Sequence, residues 1–138
     1  MHTTIVLNSY NPHCSRRSAL LSDPFTSGII SITITILSKR DTYIAVGLMD
    51  YSSRILKLGE ELGDNVNYSV GLSSNGNLWV NTPSLYSCED CHSWLKEGDN
   101  VRMEVDLDST HRTVQFFVNG EAGRCYMSGI PSSVRIGV

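Results

Sequence analysis

Between Gly28 and Ile36 the chain reads GIISITITI, with Ile30, Ile32, Ile34 and Ile36 alternating with Ser31, Thr33 and Thr35. A period of two in β-branched residues places every second side chain on one face, which predicts a strand with one buried and one wet side. VRMEVDLD repeats the pattern: Val101, Met103, Val105 and Leu107 share one face, Arg102, Glu104, Asp106 and Asp108 the other. In TVQFFVNG, Val114, Phe116 and Val118 face inward and Gln115 outward. TYIAVGLMD is more continuously apolar and predicts a strand ending at Asp50. Asn75-Gly76 lies between two strand-like runs and predicts a hairpin, because Asn-Gly adopts the positive φ angles of tight turns. Asn119-Gly120 predicts the next turn. Short runs at residues 3–7, 124–127 and 134–138 complete the set, with a further short strand around 54–58 inside a long loop.

No segment sustains the 3.6-residue period of a helix. ILKLGEEL comes nearest, but Gly59 and Gly63 interrupt it. Many short strands at near-regular spacing, separated by turn signals, predict an all-β sandwich or barrel. At 138 residues the chain fits one domain. A domain of that size buries enough surface to fold without disulfides or metal. Residues 1–27, rich in Ser, Asn and Pro, read as an N-terminal extension that is strand only in part, and the domain proper as 28–138.

Charge narrows the partners. The net charge is −3 and only 18% of residues are charged. The pairs Arg16-Arg17 and Lys39-Arg40 are too short to track a phosphate backbone, so nucleic acid is not expected. No apolar run approaches the roughly 20 residues of a membrane helix, so no membrane partner is expected. The start, MHTTIVLNSYNPHC, has neither the positive region nor the apolar core of a signal peptide. The expected location is therefore cytoplasmic, the four cysteines are expected to be reduced thiols, and Asn67-Tyr68-Ser69 is a chance sequon.

CEDCH, residues 88–92, has the spacing that attaches a c-type haem and would serve as half a zinc site. Neither context is present: no second CxxC or HxxxH pair accompanies it, and it sits in a polar stretch. No cofactor is expected, and CEDCH reads as a polar loop beside Tyr86. DLDSTHRTVQFF begins like a calcium loop at Asp106 and Asp108, but position six is His111 rather than Gly and position twelve is Phe117 rather than Glu. These aspartates read instead as the wet face and turn end of a strand. No Gly-x-Ser-x-Gly elbow occurs. Glu104 and Asp106, two residues apart on one strand face, stand about 7 Å apart by strand rise, a distance at which paired carboxylates serve a glycosidase. Arg102 beside them favours an ordinary charge-balanced face.

From Trp94 to Gly120, WLKEGDNVRMEVDLDSTHRTVQFFVNG resembles the SPRY domain, the core of the B30.2 domain. The shared elements are the aromatic Trp94, Gly98-Asp99, the alternating strand that ends at Asp106, and Phe116-Phe117-Val118-Asn119-Gly120. IAVGL (44–48) and YSVGLSSNGNLWV resemble two upstream strand units. The likeness covers residues 28–138. It implies a bent antiparallel β-sandwich of two sheets, a concanavalin-like jelly roll, with no catalytic centre. SPRY domains usually continue into one more strand beyond the position of Ile136-Gly137, so this chain is expected to lack it.

The resemblance also implies a non-enzymatic, adaptor-like module that binds a protein or peptide through loops at one end of the sandwich. The loops with aromatic and Arg anchors here are DYSSR and NTPSLY, which nominates Asp50, Tyr51, Arg54, Asn81, Leu85 and Tyr86 as partner-binding residues. The alternative is a carbohydrate-binding or glycoside-acting sandwich using Glu104 and Asp106. Trp79 and Trp94 are expected in the core.

Overall fold

Ten strands make up the regular structure of the described residues, which in this computed structural model are 2–7, 23–37, 44–50, 68–81 and 86–137. They are β1 (His2–Leu7), β2 (Ile29–Ile36), β3 (Ala45–Asp50), β4 (Ser69–Ser73), β5 (Leu78–Asn81), β6 (Tyr86–Cys88), β7 (Asn100–Asp106), β8 (Thr113–Val118), β9 (Glu121–Ser128) and β10 (Val134–Gly137). They form two five-stranded sheets, ordered β1-β2-β7-β8-β9 and β10-β3-β4-β5-β6. All pairings are antiparallel except β1 on β2, which is parallel. The predicted strand at 54–58 falls outside the described residues.

The alternating patterns become the core. Ile30, Ile32, Ile34 and Ile36 of β2, Val101, Met103 and Val105 of β7, and Val114 and Phe116 of β8 are buried. Facing them from the second sheet are Val46, Leu48, Val70, Leu72, Leu78, Val80, Val134 and Ile136. Burying each aliphatic side chain contributes roughly 1.5–3 kcal/mol, so the interleaved inner faces hold the two sheets together. Register is set by the same alternation, because a slip of one residue would turn the Ile row of β2 to water.

Turns do the rest. Asn119 and Gly120 have φ angles of 52° and 84°, the two successive positive values of a two-residue hairpin between β8 and β9. The turn is locked to the start of β7. Asn119 Oδ1 accepts from the Asn100 amide at 2.9 Å, and Asn119 Nδ2 donates to Asp99 Oδ1 at 2.8 Å. The other Asp99 oxygen accepts from the Lys96 amide at 2.7 Å. The Gly-Asp and Asn-Gly pairs, twenty residues apart, are thus one hydrogen-bonded unit at one end of the sandwich. Asp99→Ala and Asn119→Ala are each expected to lower stability by about 1–2 kcal/mol in urea unfolding. The double variant should lose less than the sum; strict additivity would show the two side chains do not cooperate.

At the other end, Asp106 and Asp108 shape the β7–β8 connection as turn residues. Asp106 Oδ1 accepts from the amides of Asp108 and Ser109, and Asp108 Oδ1 accepts from Gly28.

Candidate functional site

The strand registers bring three of the nominated residues to one end of one sheet. Asp50 closes β3 opposite Val134, and its amide donates to the Tyr68 carbonyl at 3.0 Å. Asn81 closes β5 opposite Ser69, and Tyr86 opens β6 opposite Val80. The segments that leave Asp50 and Asn81 therefore spring from the same end of the sheet, on the two strands that flank β4. Tyr51, Arg54 and Leu85 lie outside the described residues. Phe25 pairs with Val134 through both backbone hydrogen bonds, so the chain entering β2 joins the same end. Tyr68 also belongs here. Burial pushes its phenol pKa above the ordinary value, and its hydroxyl has no hydrogen-bond partner among the described residues. The only sequence signal for it is an aromatic at the entry to the YSVGL strand.

CEDCH belongs elsewhere. After β6 the chain crosses from the β10-β3-β4-β5-β6 sheet to β9 and runs along the β4–β5 hairpin, at the end opposite Asp50 and Asn81. Asp90, with φ at 53°, donates its amide to Asn77 Oδ1; the His92 amide donates to the Gly76 carbonyl at 3.0 Å and the Leu95 amide to Ser74 at 2.9 Å. On the other side, the Arg124 amide of β9 donates to the Cys91 carbonyl at 3.0 Å. The pairing of β8 with β9 is irregular between Gln115 and Phe117, and there the Phe116 carbonyl lies 3.2 Å from His92 Nε2. Gly123 allows this approach, since a Cβ there would stand 2.7 Å from both Cys91 Sγ and His92 Nε2.

The expectation of four reduced thiols is corrected at this point. Cys88 and Cys125 are joined by a disulfide, their Cα atoms 6.7 Å apart. They are 37 residues apart in sequence, and only the crossing of the loop onto β9 makes them neighbours. Cys91 remains a thiol, buried beside the Cys125 carbonyl at 3.5 Å. Desolvation raises its pKa, which keeps it protonated and a poor nucleophile at neutral pH. Among the described residues no group of three or more His, Cys, Asp or Glu side chains is arranged to hold a metal. The CxxCH spacing thus serves as a clasp between the sheets.

A second correction concerns tryptophan. Trp79 on β5 is half-buried, but Trp94 is 69% exposed. Its neighbour Leu95 takes the core position instead, and in extended chain adjacent side chains point opposite ways. That alternation was the available signal for an exposed tryptophan.

The carboxylates singled out on β7 are each engaged. Glu104 Oε2 pairs with Arg102 at 2.6 Å, Arg102 lies 3.8 Å over the Phe117 ring, and Asp106 holds its turn.

No family model matches the chain, and no curated protein does. Among solved structures, the SPRY domain of human HERC1 is similar, with a TM-score of 0.60 at 17% identity over 87% of this chain and 71% of that one. At that identity the likeness speaks for the fold alone, and it agrees with the two-sheet topology. The chain has a SPRY-like fold.

Proposed function

We propose that this chain is a non-enzymatic interaction module that holds a protein or peptide segment on loops at one end of the sandwich. The observation that carries the reading is the convergence of Asp50, Asn81 and Tyr86 at one end of a single sheet in a SPRY-like fold. Function in such a scaffold sits in the loops, where a rigid sandwich presents variable side chains without altering its core. The loop sequences DYSSR and NTPSLY carry Tyr, Arg and Leu, residues that combine large contact area with directional hydrogen bonding.

A pull-down with the variant carrying Tyr51→Ala, Arg54→Ala and Tyr86→Ala tests the surface. Partners recovered with the unaltered chain should be lost or reduced at least about tenfold, the effect of removing roughly 1.4 kcal/mol of contact energy. Recovery of every partner at the original level would reject these loops as the contact surface.

A further inference from the structure

We infer that the connection between β6 and β7 forms a second docking surface, on which Trp94 anchors a partner segment bearing lysine or arginine side chains. The inference rests on the reading of the chain as an interaction module and names a site and a partner chemistry for it.

An indole with more than two-thirds of its surface in water leaves a large apolar area unburied, and aromatic anchors of this kind dominate the energetics of protein contacts. Here the anchor is preorganised. The backbone leading to it is fastened at Asp90, Cys91 and His92, the disulfide cross-links it at Cys88, and the next residue, Leu95, is buried and bonded to Ser74. A partner that meets Trp94 need not order the loop that carries it, which removes a main cost of association.

Charge selects the partner. From Ser87 to Asp99 the chain has four carboxylates, Glu89, Asp90, Glu97 and Asp99, against the single cation Lys96. Asp99 is occupied within the fold by the Lys96 amide and Asn119, whereas Glu89 and Asp90 are exposed. The electron-rich face of an indole attracts an ammonium or guanidinium by about 0.5–2 kcal/mol, and carboxylates on the same connection add to the attraction and to the rate of encounter. An acidic or phosphorylated segment would meet the opposite field.

A random dodecapeptide display library, selected on the intact chain and on its Trp94→Ala and Glu89→Gln/Asp90→Asn variants, tests this. Peptides retained by the unaltered chain should be enriched in Lys and Arg. Synthetic copies should bind the Trp94→Ala chain roughly tenfold more weakly, a change of about 1.4 kcal/mol. They should also weaken with added salt, and weaken in the charge-neutralised variant. Because the Trp94 side chain is exposed, its removal should leave the unfolding midpoint close to that of the unaltered chain. Peptides that bind the Trp94→Ala chain equally well would overturn this surface while leaving the interaction module standing. Enrichment of acidic peptides would overturn the partner chemistry. No enrichment over an unrelated protein would overturn both readings.

Discussion

Gly76→Ala is expected to destabilise the domain by about 3–5 kcal/mol, whereas Gly98→Ala should cost only about 1–2 kcal/mol. The two glycines have nearly the same backbone, with φ at 85° and 87°, so the intrinsic penalty of placing a Cβ in the left-handed region is the same for both. Their surroundings differ. A Cβ on Gly98 meets nothing within 4 Å, but one on Gly76 runs into the carbonyl of His92. That carbonyl is backbone and cannot rotate aside as a side chain tip would. Relief requires the CEDCH segment to lift off the β4–β5 hairpin, which breaks the His92–Gly76 hydrogen bond and strains those at Asp90 and Leu95. Urea unfolding of both variants at unchanged m-value measures the difference directly. Equal losses would mean that the segment is not held against the hairpin.

The contrast between what local pattern reveals and what it hides runs through the whole molecule. β2, β7 and β8 were readable because each is half-buried, so a period of two is written into residue type: Ile against Ser and Thr in β2, Val and Met against Arg and Glu in β7. β3 and β4 are buried along nearly their whole length and lose that alternation. Their recognition rested on apolar content and on the Asn75-Gly76 turn between β4 and β5. The parallel attachment of β1 to β2 had no local signature, since pairing between distant segments depends on where the intervening chain is led.

The same division applies to the sites. Asp50, Asn81 and Tyr86 were nominated for their residue types in loops. That the strands gather them at one end is a property of register, decided by core alternation tens of residues away. The meaning of CEDCH was hidden for a related reason. Its partners, Gly76, Phe116, Arg124 and Cys125, lie in three other strands or turns, and a spacing rule sees only the residues within the motif. For Trp94, hydrophobic type alone points inward, and its direction depends on the neighbour that takes the core position. Once Leu95 is assigned inward, Trp94 has to face water.

Phe116→Ala is expected to cost about 3–5 kcal/mol, and Phe117→Ala, one residue along the same strand, about 1 kcal/mol. Phe116 is fully buried between the sheets, and among the described residues it is the largest of the fully buried side chains. Its removal leaves a void that neighbours locked in two hydrogen-bonded sheets fill only in part, so the lost transfer energy and the cavity add. Phe117 points to the outer face, where it supports the Arg102 guanidinium at 3.8 Å from the ring centre and remains partly in contact with water. Truncating it removes a cation–π contact and some covered surface but opens no cavity. Chemical denaturation of the two variants checks the register of β8 against β7, because Met103↔Phe116 and Arg102↔Phe117 are adjacent rungs of one ladder. Two phenylalanines of identical composition and opposite direction should differ by at least about 2 kcal/mol. The reverse order would place β8 one residue out of register, which would turn the Val114–Phe116–Val118 row outward and leave the inner face of the sheet polar.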